Sequence, residues 1–301
     1  MEALLKNELW DLARKLGGVL LLLSPMFFVC GQLIAQKRRY QWAAASPFTG
    51  QPLRPPGESL RLKIQDLDDK LSEELLILIL FPGALAITAI ASPRTHSWLS
   101  LVIAILLVGL FVSWRGLKLR TIVRTLWDYR LGFDGERVVG ETLNQLMLDG
   151  YRVFHDIPFD RFNIDHVIVG PPGVYAVETK TRRKPFGADG RRQREVEFDG
   201  ETLHWPRFDE KDSTRQALLN ASSLGKWLTS ATGETTKVHA VLTIPGWMVV
   251  RRARAEVNVL NPDEIQYSFP KKPENPLSPE QIQRIVHQLT EKCRLPADSK
   301  T

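Results

Sequence analysis

The sequence predicts an α/β domain, a mixed sheet flanked by helices, preceded by two or three transmembrane helices. Three observations carry this. Three charge-free apolar runs, each close to the length of a membrane span, sit in the first 114 residues. Beyond that point β-rich runs alternate with amphipathic helical patterns, as in ordinary soluble sequence. Finally, 301 residues with 44% hydrophobic content and a net charge of +6 fit one or two folded domains, which excludes a disordered chain or a polytopic transporter. Two cysteines, Cys30 and Cys293, offer neither a disulfide framework nor a zinc site.

Residues 16–35, 75–93 and 97–114 each lack Asp, Glu, Lys and Arg, and each is close to the ~20 residues that cross a hydrocarbon layer. The first follows Lys6, Arg14 and Lys15 and precedes Lys37, Arg38 and Arg39. A signal peptide begins similarly, but the long apolar stretch and the trailing basic cluster favour an uncleaved anchor. The second and third runs, joined by a turn carrying only Arg94 and His96, read as a helical hairpin, a pattern shared with a buried hairpin of a soluble protein. The short-loop basic residues Lys37–Arg39, Arg115, Lys118, Arg120 and Arg124 share one side if three spans start from an external N-terminus, and that side is expected to be cytoplasmic. Lys6, Arg14 and Lys15 then fall outside, which leaves a two-span arrangement open. Residues 36–71, with Pro47, Pro52, Pro55 and Pro56, read as a loop and short helix between spans. The expected organisation is therefore a membrane anchor over 1–120, a folded domain over 121–265 and a C-terminal linker and helix over 266–301.

The folded domain opens, from about Asp134, with a helix that places Val139, Leu143, Leu146 and Met147 at helical spacing and stops at Asp149-Gly150. Glu136 falls on the apolar stripe and Glu141 on the wet face. A carboxylate facing the core is costly unless something compensates it, although a first-turn position near the positive end of the helix dipole also accommodates it. Next come strand-like runs at 151–155, 163–169 and 174–180, the last two separated by Gly170-Pro171-Pro172-Gly173, a hairpin signal. That turn pairs Val169 with Val174 and Val167 with Ala176, and so sets Asp165 opposite Glu178, with Lys180 on the face of Glu178.

Opposed carboxylates repel unless a proton, a cation or a metal intervenes. Mg²⁺, or Mn²⁺, takes oxygen ligands and commonly uses one or two carboxylates, so Asp165 and Glu178 are the candidate metal ligands and Lys180 the group that acts on the attacking water. A structural salt-bridge cluster uses the same residue types. The ordered set is more specific: an acid on a helix's inner face, an Asp opening a hydrophobic strand, then Glu-x-Lys on the next strand. Here these are Glu136, Asp165 and Glu178-Thr179-Lys180, the arrangement of PD-(D/E)xK nucleases.

Gly132, Gly135-Glu136, the run from Asn163 to Pro171 and the run from Gly173 to Lys180 closely resemble the nuclease-related domain (NERD) family over about Phe133 to Leu228. The resemblance implies a restriction-endonuclease-like fold, metal-dependent hydrolysis of DNA or RNA, and the site residues Glu136, Asp165, Glu178 and Lys180, with Gln216 supporting. It also implies frequent association with transmembrane segments, here expected in a bacterial inner membrane. Two departures occur: Thr181 stands where the family usually has Asn, and Asp212-Ser213 replaces the Asn-Pro ahead of Gln216.

After Lys180, a basic, Gly-punctuated hairpin carries Arg182, Arg183, Lys184, Arg191, Arg192 and Arg194, which would bring cations to a phosphodiester backbone; a solvated loop, or attraction to anionic lipid beside the bilayer, explains the same composition. Trp205 is either a base-stacking ring or an aromatic packed under a loop. Helical stripes at Ala217, Ala221, Leu224 and Leu228, and at Ile282, Ile285, Val286 and Leu289 after a Ser278-Pro279 start, read as scaffold, and His155, His166, His239 and His287 as packing residues. Walker loops and nucleophile elbows are missing. The competing function is a non-catalytic nucleic-acid-binding or protein-interaction scaffold at the membrane.

Overall fold

The computed structural model describes residues 51–91, 98–188, 190–268 and 275–295, with Gln32 and Ala35 besides. The run at 16–35, apart from those two residues, and the basic cluster Lys37–Arg39 lie outside them. Two compact units form: Met1–Gly50 with Asp68–Arg124, and Gln51–Leu67 with Thr125–Thr301. The expected boundary at residue 120 is thus crossed by Gln51–Leu67, which group with the folded domain.

Helices α1 (Glu58–Ala91) and α2 (Trp98–Asn144) carry the second and third apolar runs, and their stretches 68–91 and 98–124 belong to the first unit. Phe81 and Phe111 pack with tilted rings, 4.5 Å between ring centres, and Glu74 takes Arg115 and Lys118 at 2.7 and 2.6 Å. One helix among the described residues, Val102–Asp149, is long and apolar enough to cross a membrane, and none of its apolar stretch is buried. Both helices run longer than the sequence reading expects. The helix expected from about Asp134 is the continuation of the third run, because no proline interrupts the chain between Trp98 and Asn144; α1 likewise starts at Glu58 and carries Pro82 within it.

In the second unit, a 3₁₀ turn (Gln145–Asp149) leads into β1 (Arg152–Pro158), β2 (Asn163–Gly170) and β3 (Gly173–Thr179). Further on, β7 (Val238–Thr243) and β9 (Val257–Leu260) complete a five-stranded sheet of order β1-β2-β3-β7-β9. The first three strands are antiparallel neighbours, and β3, β7 and β9 run parallel. The β2–β3 register pairs Val169 with Val174 and Val167 with Ala176, as the turn predicts. A second sheet, β6-β5-β4-β8, comprises β4 (Glu195–Phe198), β5 (Leu203–Trp205), β6 (Phe208–Glu210) and β8 (Met248–Arg251).

Both faces of the larger sheet are covered, which is why its strands read as nearly continuous apolar runs. On one face Val139, Leu143 and Leu146 pack with Ile168, Tyr175 and Val177. On the other, Ala217, Ala221, Leu224 and Leu228 of α3 (Asp212–Thr232) join Val167, Val169, Val174 and Ala176. After the short α4 (Ile265–Ser268), α5 (Pro279–Lys292) adds Ile285 and Leu289 to that second face, so the C-terminal helix is part of the core. Its predicted start is built as a capping box, in which the Ser278 hydroxyl accepts from the Gln281 N–H. Truncating a fully buried leucine such as Leu143 or Leu228 would cost about 2–5 kcal/mol.

Candidate functional site

The site stands where β2 begins and β3 ends. Glu136 projects from α2 three residues before the fully buried Val139, so it shares the core-facing stripe and is itself buried, whereas Glu141 is exposed. Helix and strand approach closely here: a Cβ on Gly135 would lie 1.8 Å from the Thr181 hydroxyl. Only glycine fits at that position, and its absence of a side chain brings Glu136 down toward the strand ends.

The paired ladder ends at His166↔Val177, one residue short of Asp165 and Glu178 on the neighbouring strands β2 and β3. The Asp165 carboxylate accepts the Thr179 N–H at 2.7 Å, and buried Glu178 accepts the Asn220 side-chain amide at 2.8 Å. One carboxyl oxygen of Glu136 is buried with no hydrogen-bond partner. Lys180, whose N–H donates to the Thr243 carbonyl at 2.8 Å, exerts a favourable field on both strand acids. Its ammonium lies 3.6 Å from Glu210.

Burial dominates the electrostatics. It pushes Glu136 up to about 9, with Asp165 and Asp156 adding repulsion. It likewise pushes Asp165 up to about 7 against the pull of the Thr179 N–H. Glu178 is driven well above the carboxylate range by burial and then by Asp165, Lys180 opposing. Near neutral pH and with no metal bound, Glu136 and Glu178 favour their protonated forms and Asp165 stands near its midpoint. The metal assignment fits this donor set: oxygen ligands only, an orphaned carboxyl oxygen, and acids that need positive charge to ionise. Among the described residues, groups of three or more His, Cys, Asp or Glu with metal-binding geometry are absent, so the candidate ligands remain the pair Asp165 and Glu178, for which one or two carboxylates plus water suffice.

Three site-adjacent residues escape the sequence reading. Asp156, almost fully buried, stands across the ladder from Asp165, between the pairs His155↔His166 and Ile157↔Ile164; its φ of 49° interrupts that ladder. Asn220 is the α3 residue that reaches Glu178, whereas Gln216, one turn earlier, is exposed. Glu210 accepts from Arg182 at 2.8 Å, from Trp205 at 3.1 Å and from the Ser213 hydroxyl. Burial would raise Glu210, but the Ser213 and Arg182 bonds hold it below the usual carboxylate range.

The basic hairpin forms, with Phe186 bridged to Arg192 and Gly187 donating to the Arg191 carbonyl. Its cations divide into two groups. Arg182 is committed to Glu210, and Arg183 pairs with Asp128 at 3.0 Å; Lys184 is partly buried, while Arg191, Arg192 and Arg194 are exposed. Trp205 is buried edge-on against Trp247, so it packs rather than presents a stacking face. His155 and His166 pair through their Nδ1 atoms at 2.9 Å, and the Asn144 Oδ1 lies 3.0 Å from the His155 Nε2. If that amide oxygen accepts from His155, then His166 donates across the pair, and both rings are packed neutral.

Residues 131–245 match the family model described as "NERD: Nuclease-related domain". No curated protein and no solved structure matches the chain. The matched residues hold all four candidate catalytic residues and lie on a mixed α/β fold of two sheets flanked by helices.

Proposed function

We propose that this chain is a membrane-anchored, metal-dependent nuclease that hydrolyses phosphodiester bonds of DNA or RNA, its nuclease-related domain facing the cytoplasm. The observation that carries the reading is the convergence of Glu136, Asp165 and Glu178, three carboxyls raised by burial and mutual repulsion, beside Lys180. Asp165 and Glu178 would hold Mg²⁺ or Mn²⁺. Bound there, the ion would polarise the scissile phosphate and lower the pKa of a water. The rest is work for the chain's own groups. The Thr179 N–H and the Asn220 amide fix the two ligand carboxylates. Lys180 meets the charge that develops on the phosphate. The exposed Arg191, Arg192 and Arg194 attract the nucleic-acid backbone.

The exposed apolar stretch of α2 and the basic residues after it support the anchor and its orientation. The scaffold alternative draws on one observation: Lys180 and Arg182 share Glu210, as in a structural ion-pair cluster. Incubating the purified full chain with labelled single- and double-stranded DNA and RNA decides between them. Cleavage is expected with Mg²⁺ or Mn²⁺ and not with EDTA. Intact substrates throughout, with retained binding, would establish the scaffold.

A further inference from the structure

The segment Gln51–Leu67 lies outside the matched residues 131–245, yet it packs as part of the same compact unit. It is pinned at its start, where the Arg54 N–H donates to the Cys293 carbonyl at 2.9 Å and Leu53 bridges to Arg294. It then runs against the helix face that carries Glu136. Pro56 sits so close to Gly140 that a Cβ there would lie 2.5 Å away. Gly57, at φ +74°, leaves no room for a side chain: its Cβ would meet Phe133 at 2.7 Å and stand 3.6 Å from the partnerless Glu136 oxygen.

The same segment controls the fourth acid. Asp156 accepts the Arg54 guanidinium at 2.6 Å and the Ser59 N–H at 3.1 Å on one oxygen, and the Asn163 amide at 3.0 Å on the other. Both partners of the ion pair are shielded from water, and Asp156 is the cross-strand neighbour of Asp165. A buried carboxylate in that place, if unpaired, would act on whatever cation Asp165 holds.

We infer that residues 51–61 complete the candidate site in cis, and that Arg54 is a positioning residue that neutralises Asp156 and so keeps the fourth acid out of the metal-binding set. The inference rests on the nuclease reading above. Arg54→Gln leaves Asp156 without its cation beside Asp165, free to share a bound metal ion, and should tighten Mn²⁺ binding about tenfold while slowing cleavage. Asp156→Asn leaves the Arg54 cation unpaired and should weaken Mn²⁺ binding by a similar factor. The double variant, a neutral pair, should return the affinity to within about twofold of the unmodified chain.

The test is calorimetric titration of Mn²⁺ into the purified full-length variants below their unfolding temperatures, with cleavage rates measured alongside. Opposite shifts in the single variants, cancelled in the double, support the inference. Lower melting temperatures with unchanged Mn²⁺ affinities would reduce the pair to a structural ion pair and overturn it, leaving the nuclease reading intact. Should Arg54→Gln fail to fold, Asp156→Asn and the double variant still decide. An unmodified chain that binds no Mn²⁺ would instead overturn the nuclease reading and the inference with it.

Discussion

The acids at the end of the sheet and the cations of the 182–194 hairpin are opposite solutions to carrying charge. The acids are drawn into the protein, where Glu136 keeps an oxygen with no partner and burial drives the carboxyls toward protonation. The cations stay at the surface, or spend their charge on neighbours, as Arg182 does on Glu210 and Arg183 on Asp128. Exposed charge costs little and therefore signals little. Buried, poorly compensated charge costs stability, and a fold retains it where chemistry needs it. Under the proposed nuclease function the weight accordingly rests on the acids, with the hairpin tuning affinity.

The largest expected effect breaks the buried side. Asp165→Asn or Glu178→Gln should abolish metal-dependent cleavage in a gel assay and leave the metal-free protein as stable or more so, since one of two opposed carboxyls is gone. Lys180→Ala should remove cleavage while sparing metal binding, because its ammonium serves the transition-state charge. Under a purely structural reading the same change strips Glu210 and the strand acids of a cation and destabilises the fold, read as a lower melting temperature.

A second, smaller effect is in pH dependence. Above about 6.5 the metal-free folded chain holds protons on Glu136 up to about 9 and on Asp165 up to about 7 that the unfolded chain has already released, and the raised Glu178 acts in the same direction. The folded state thus binds more protons, and stability should fall as pH rises through this window. Saturating Mg²⁺ should flatten the slope. Below 6.5 the buried histidines act in the opposite sense. His155, held down to about 4 by burial, and His166, also depressed, are neutral when folded and protonated when unfolded, so they cost stability as pH falls. Denaturant melts across pH 5–9, with and without Mg²⁺, read both slopes.

The smallest effect sharpens the exposed side. Replacing Arg191, Arg192 and Arg194 together should weaken nucleic-acid binding without altering sequence preference, and should lower the log–log salt slope by roughly 0.9 per lost phosphate contact on duplex DNA. An unchanged slope would return the hairpin to a solvated or lipid-facing role.

What the sequence makes legible follows the same division. The β2–β3 register can be read because Gly170–Gly173 fixes the turn and both strand faces are buried. Glu136 can be read because it shares a stripe with Val139. Asp156 cannot: the apolar run of β1 reads as ending at His155, and the pairing that sets Asp156 beside Asp165 appears only in three dimensions. Asn220 hides one turn beyond Gln216, where helical spacing alone does not choose between them. The second sheet is built from strands of three or four residues, too short for periodicity to register. Arg54 is about a hundred residues from its partner, a separation that leaves no local trace.

The central claim, that the buried acids are a cation site, is tested most directly by thermal unfolding of the full chain at pH 7.5 with and without Mg²⁺. The account predicts that the ion raises the melting temperature of the unmodified protein and of Lys180→Ala, and leaves that of Asp165→Asn where it was. No metal-induced rise in the unmodified protein, together with collapse of the Lys180 variant, would contradict it and leave a structural ion-pair cluster in its place.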